Sequence, residues 1–202
     1  MPFGALLLLL LVIVATVAAV GVLRRSARSR AAAETTSELT LFNLRVGDIV
    51  QHEITDWVVE DRLLYHQGVF SWLEYLLRDG DRSLWLVVNE DDSLVVTLEE
   101  PIDLPLSLDA QPPDQIELDG RLYRLNERGY AVVTADQRRV NRQLGSCQFF
   151  DYRSGSSAVL SIELWGSTAA GAGEMEATAG ERIAPRSLSL LPGDGRSVYR
   201  SS

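Results

Sequence analysis

Lysine is absent from this chain: all 19 basic residues are arginine. Cysteine is nearly absent, with Cys147 alone, which excludes an intramolecular disulfide, so nothing in the cysteine usage marks an oxidising compartment. Histidine occurs only at His52 and His66. A zinc site draws three or four ligands from His, Cys and carboxylates, and these scattered residues do not supply that set. No serine lies in a Gly-x-Ser-x-Gly elbow. Gly171-Ala172-Gly173 has no lysine near it and no βαβ context, so it is not a phosphate loop. Cys147 follows Gly145-Ser146 at the start of an apolar strand with no evident His partner, and reads as a small core residue rather than a nucleophile. Neither a cofactor nor an enzymatic activity is expected from this inventory.

What is there is uneven. Formal net charge is −9, from 19 Arg and 28 Asp+Glu. Arg24, Arg25, Arg28 and Arg30 cluster directly after an apolar run, leaving 15 basic against 28 acidic residues, or −13, on the remainder. Such a body repels nucleic acid and anionic head groups, and suits cations or basic partners.

Residues 5–23 carry no charge, with Thr16 their only hydroxyl. As a helix this run is about 28 Å long, close to the roughly 30 Å hydrocarbon core of a bilayer. The alternative, a cleaved signal peptide, would need a basic n-region, a shorter apolar core and a small-residue cleavage site, and Ala15-Thr16-Val17-Ala18-Ala19 offers the last of these. Met1-Pro2-Phe3-Gly4 offers no basic side chain. The reading is a retained transmembrane anchor over 1–23, embedded in the lipid bilayer through 5–23. Arginines stay on the cytoplasmic side, so Arg24, Arg25, Arg28 and Arg30 place the N-terminus outside and the rest in the cytoplasm of a single-pass membrane protein. Residues 24–42 read as a basic, then polar tether.

From residue 43 apolar and polar residues alternate with period two, broken by turn residues. Strands are expected over 48–52, 57–65, 69–77, 83–88 and 94–98, with Asp79-Gly80 as a tight hairpin turn. The second half resembles the first. Gly47-Asp48-Ile49-Val50 matches Gly120-Arg121-Leu122-Tyr123, Trp57-Val58-Val59 matches Tyr130-Ala131-Val132, and Glu74-Tyr75 matches Asp151-Tyr152. Leu84, Leu86 and Val88 match Leu160, Ile162 and Leu164, and Leu94, Val96 and Leu98 match Met175, Ala177 and Ala179. The expected fold class is therefore mainly β: a single N-terminal transmembrane helix, then an antiparallel β-sandwich or flattened barrel of about ten strands. Its two pseudo-symmetric halves, about 43–110 and 113–190, would each bury one apolar face against the other. The β-rich domain spans 43–192 and a flexible tail 193–202. Trp57, Trp72, Trp85 and Trp165 fit the core of such a domain, with a ligand cage as the alternative. Asp79-Gly80-Asp81 and Asn89-Glu90-Asp91-Asp92 lack the spacing of a calcium loop and fall at opposite ends of one strand, so they read as turns.

Leu44-Arg45-Val46-Gly47-Asp48-Ile49-Val50, Asp56-Trp57-Val58-Val59-Glu60 and Trp72-Leu73-Glu74-Tyr75-Leu76-Leu77-Arg78-Asp79-Gly80 resemble a bacterial domain family of unknown function, DUF4178. Asp119-Gly120-Arg121-Leu122-Tyr123 and Phe149-Phe150-Asp151-Tyr152 fit its second half, so the resemblance covers roughly residues 43–190. No catalytic residues come with it. It implies a setting among small membrane proteins and polyamine-synthase-like enzymes, and hence a partner role.

Two functions follow as expectations. The first is a non-catalytic interaction or scaffold module, anchored in the membrane and docking another membrane or membrane-associated protein. The second is a binding or sensing domain for a small ligand, a polyamine or other cation, held by carboxylates and cation–π contact. The candidate binding residues are Trp72, Glu74, Asp151 and Tyr152. An enzyme is the less favoured third reading, with acidic pairs such as Glu74 with Asp151 as its candidates for acid–base chemistry.

Overall fold

Alternation broken by hairpin turns yields eleven strands in the computed structural model, which describes residues 38–106, 111–135, 144–166 and 173–195. They are β1 (Ile49–His52), β2 (Thr55–Gln67), β3 (Phe70–Asp79), β4 (Arg82–Glu90), β5 (Leu94–Pro101) and β6 (Gln115–Leu118). After them come β7 (Arg121–Ala135), β8 (Gly145–Ser154), β9 (Ala158–Trp165), β10 (Glu174–Ile183) and, past a 3₁₀ turn at Pro185–Ser187, β11 (Leu188–Leu191). All lie in the unit that begins at Leu39.

The sheet runs β11-β1-β2-β3-β4-β5-β10-β9-β8-β7-β6, and β2 also pairs with β7. That last pairing closes β2, β3, β4, β5, β10, β9, β8 and β7 into an eight-stranded barrel, with every ladder antiparallel. The two long strands make closure possible. β2 pairs with β1 through residues 55–58 and with β7 through 63–66, while β7 pairs with β6 through 121–124 and with β2 through 132–135. Each carries a register shift, at Val59/Asp61 in β2 and Leu125/Glu127 in β7. Such bulges bend a strand and swap which side chains face inward.

This corrects the expected fold class. The architecture is a closed barrel of eight strands with β1, β6 and β11 outside the ring, not a sandwich and not one barrel of about ten. No α-helix occurs among the described residues, and none there is long and apolar enough to cross a membrane. The transmembrane helix expected over 5–23, residues 24–37 of the expected tether with Arg24, Arg25, Arg28 and Arg30, and Gly171-Ala172 lie outside the described residues. The end of that tether, 38–42, is described and is not a loose linker there, because Leu41 is buried in the core.

The apolar faces of the meanders β2–β5 and β7–β10 do not bury against each other. They turn outward, each beneath its own cover. Leu73, Tyr75, Leu77, Leu84, Leu86, Val88, Val96 and Leu98 pack under Leu41, Leu44, Val50 and partly buried Leu188 and Leu190. Phe150, Tyr152, Leu160, Ile162 and Ala177 pack under Ile116 and partly buried Ile102, Leu104 and Leu106. One hydrogen bond recurs in both halves. Tyr75 Oη donates to the Leu41 carbonyl at 2.8 Å, and Tyr152 Oη to the Pro113 carbonyl at 2.9 Å.

The ladders adjust the sequence matches. Leu86 and Leu160, opposite Tyr75 and Tyr152, are the equivalent pair, two residues from the match of Leu84 with Leu160. Trp57 lies opposite Val50 and Tyr123 opposite Ile116, so Tyr123 takes the place given to Tyr130, which is exposed.

Asp48 fastens the chain just past β11. Its buried carboxylate accepts from Arg45 N at 2.7 Å and from Gly193 N at 2.8 Å. A Cβ at Gly193 would fall on the Gly47 carbonyl oxygen, so only glycine approaches this closely. The tail assigned from 193 thus begins with a docked residue. Asp48→Ala leaves both amides without their acceptor and is expected to lower stability by roughly 2 kcal/mol. A urea titration checks this; an unchanged midpoint would show that the clasp contributes nothing.

Candidate ligand-binding cavity

Register fixes which side chains enter the barrel. Trp72 opposes Tyr65 and Asn89, Glu74 opposes Leu63 and Val87, and Glu99 opposes Trp85 and Gly180. On the other side Asp151 opposes Glu127 and Ser161, Ser161 opposes Thr178, and Glu163 opposes Phe149 and Glu176. Because the outward positions hold the apolar residues that the covers need, polar residues are concentrated inside.

Part of the interior is filled. Leu63, Tyr65, Trp85, Ala131, Val133, Cys147, Phe149 and Trp165 form an apolar plug. Beside it lies a cavity of about 120 Å³, whose lining includes Trp85 and Phe149 from that plug. A second chamber of about 170 Å³ shares six lining residues with the first: Trp72, Val87, Asn89, Glu127, Phe149 and Asp151. It extends to Gln67, Phe70 and Asp91 at the β2–β3 and β4–β5 turns, which mark its mouth. Each chamber is of the order of the 150 Å³ that holds a benzene-sized guest.

Six carboxylates line the first chamber, Glu74, Glu99, Glu127, Asp151, Glu163 and Glu176, against two arginines, Arg153 and Arg182. Neutral donors hold several of them. Glu99 accepts from Thr97 Oγ1 and Thr178 Oγ1, each at 2.6 Å. Glu74 accepts from Trp72 Nε1 at 3.1 Å, Glu163 from Tyr65 Oη at 3.3 Å, and Asp151 from Ser161 Oγ at 2.7 Å. Trp72 is itself stacked on Tyr65, with ring centroids 4.9 Å apart, and meets Phe149 edge-on at 5.3 Å.

Asp151 has the most altered chemistry. Burial pushes its carboxyl from 3.8 up to about 7, opposed by the Ser161 hydrogen bond and reinforced by the charges of Glu99, Glu74 and Glu127. Near neutral pH it is poised between its two charge states.

Of the candidates named from the sequence, Trp72, Glu74 and Asp151 meet in this cavity. Tyr152 borders it, but its side chain packs in the second outer cluster and its hydroxyl is engaged by Pro113; burial pushes that hydroxyl up to about 12. Among the tryptophans, Trp57 belongs to the outer core, under Arg82 at 4.9 Å, and Trp165 to the plug. His52 and His66 do not line either chamber. Cys147 is buried in the plug. No group of three or more His, Cys, Asp or Glu side chains placed to hold a metal ion occurs among the described residues.

Glu99, Glu127, Glu163 and Glu176 were not singled out by sequence reasoning. A signal was present for one of them, Glu163, as it was for Glu74 and Asp151. Glu74, Asp151 and Glu163 each stand between large apolar residues in mid-strand, as in Phe150-Asp151-Tyr152 and Ile162-Glu163-Leu164. A carboxylate in that position lies opposite a buried face, so it points either to solvent or into a closed interior.

A family model described as "Domain of unknown function (DUF4178)" matches residues 45–185. Uncharacterized proteins of Mycobacterium bovis and of two strains of Mycobacterium tuberculosis are each 33% identical over 124 residues. The match covers 59% of this chain and 59% of each relative, so the chain spans under two thirds of their length. No solved structure matches.

Proposed function

Because the chain belongs to the DUF4178 family, a domain of unknown function, we propose a role from its interior: the barrel is a small-ligand-binding module that takes an organic cation, an alkylamine, diamine or polyamine. The observation that carries this reading is the excess of six carboxylates over two arginines around a cavity walled by Trp72, Trp85 and Phe149.

Glu74, Glu99 and Glu163 are buried, Asp151 and Glu176 partly buried and Glu127 exposed. Carboxylates gathered partly out of water repel one another and lose hydration. An ammonium group relieves both effects, and aromatic rings add cation–π attraction. A cleft lined by one sign of charge also focuses field lines and raises the local concentration of the opposite ion. The two ends of the sheet order, β6 and β11, are four-residue strands. They offer a protein partner little length for strand addition. The cavity, rather than a sheet edge, therefore carries the proposal.

The test is a melting curve of the full-length chain with and without spermidine or putrescine, at low salt and at about 0.3 M salt, where exposed charges are largely screened. A rise in melting temperature that survives salt, and that Glu127→Gln reduces, is the expected result. A rise that vanishes with salt would reduce the effect to surface charge and remove the proposal.

A further inference from the structure

The mouth of the second chamber has two unlike lips. One is the β2–β3 turn, where Val69 is 92% exposed and Phe70 55% exposed. The other is the β4–β5 turn, which contributes exposed Asp91. Between them the chamber lining includes the carboxylates Asp91, Glu127 and Asp151 and no basic residue; both arginines belong to the first chamber. Trp72 and Phe149 form part of its wall.

Phe70 spans the boundary between chamber and solvent, lining the one while more than half exposed to the other. Exposed apolar area on a hairpin tip is unfavourable by itself, and an apolar group laid against it recovers the hydrophobic gain. A bare polycation has no part suited to that lip. A ligand with one charged end does, because its head and its arm then meet surfaces of matching chemistry.

We propose that the ligand is amphiphilic, with an ammonium head seated among Glu127, Asp151 and Trp72 in the second chamber and an apolar arm leaving the mouth across Val69 and Phe70. This rests on the cation reading above and narrows it to amines with an alkyl or aromatic substituent. The chamber admits the head and a few carbons; the rest of the arm lies on the hairpin.

The test uses the full-length chain and a series of primary amines, from ethylamine through butylamine and hexylamine to octylamine, titrated calorimetrically at physiological salt. Affinity is expected to rise roughly two- to fourfold per added methylene until the arm clears the hairpin. In Val69→Ser/Phe70→Ser the octylamine-to-ethylamine affinity ratio should fall at least tenfold, in protein whose melting curve remains cooperative. Equal affinity along the series would overturn the amphiphile and leave cation binding standing. A steep series that the double variant preserves would also overturn it, by placing the arm inside the barrel. If no amine binds, the cation reading itself falls.

Discussion

Raising the pH from 6 to 8 is expected to tighten binding of an organic cation by about tenfold, in proportion to the fraction of Asp151 that is ionised. The carboxyl titrates near 7 rather than 3.8 because it is partly buried and desolvated in the barrel and faces other acids. Inward-facing groups meet it from every side: Glu74 on β3, Glu99 on β5, Glu127 on β7, Glu163 on β9, and Glu176 with Arg182 on β10; Arg153 lies on its own strand. An alkylammonium group, with a pKa of about 10, keeps its charge across this range, so the change belongs to the protein. Binding should release a proton near pH 7, because a neighbouring cation favours the carboxylate. Stability of the empty barrel moves oppositely. A carboxyl whose folded pKa lies above its unfolded value favours the folded state while protonated, so its stabilisation is full below about 4 and is lost as pH rises to about 7. Asp151→Asn keeps the shape and can still accept from Ser161. It should therefore weaken cation binding at pH 8, flatten the pH profile, and raise the melting temperature at pH 8 relative to the native chain. Calorimetric titration at pH 6, 7 and 8, with melting curves at pH 5 and 8, checks both signs. An affinity independent of pH in the native chain would mean that Asp151 does not face the ligand.

Much of the local structure was legible and the global arrangement was not, for a definable reason. Alternation around Leu84, Leu86 and Val88, with turns at Asp79-Gly80 and after Asn89, marks strands and hairpins because both are set by neighbouring residues. Alternation says that one face of a strand is apolar, but not what covers it. Two meanders with apolar faces suggest a sandwich, with those faces together. Here residues 39–47, β1 and β11 cover one, and residues 102–106 and β6 cover the other. The polar faces are left looking at each other, and Glu74 and Asp151, equivalent residues of the two halves, line one cavity instead of two outer surfaces. Closure depends on β2 meeting β7, residues about 70 apart in sequence, as in Leu63 with Ala135. The bulges at Val59/Asp61 and Leu125/Glu127 have no distinctive local composition, yet they reverse the facing of each long strand. The match of Trp57 with Tyr130 failed there, because a constant offset does not track the register of the ladders.

The largest loss of stability is expected from Gly180→Ala. Gly180 lies in β10 opposite Glu99 of β5, in one of the two ladders that join the meanders into a ring. A Cβ there would fall on the Leu98 carbonyl oxygen and within 2.7 Å of Glu99 Cα. Both are backbone atoms inside a paired strand, so no side-chain rotation relieves the clash and the ladder itself must part. Parting it also displaces Glu99 from Thr178, whose hydroxyl donates to it at 2.6 Å across the same seam. The combined effect of overpacking and a broken buried hydrogen bond is about 3 kcal/mol or more. Gly120→Ala is the control: Gly120 has φ 72° in the β6–β7 turn with nothing within 4 Å of the added carbon, so only the left-handed backbone is strained, at about 1 kcal/mol. Urea unfolding of the two variants separates the cases. If Gly180→Ala unfolds no more easily than Gly120→Ala, β5 and β10 do not approach this closely in solution, and the acidic cavity loses one of its walls.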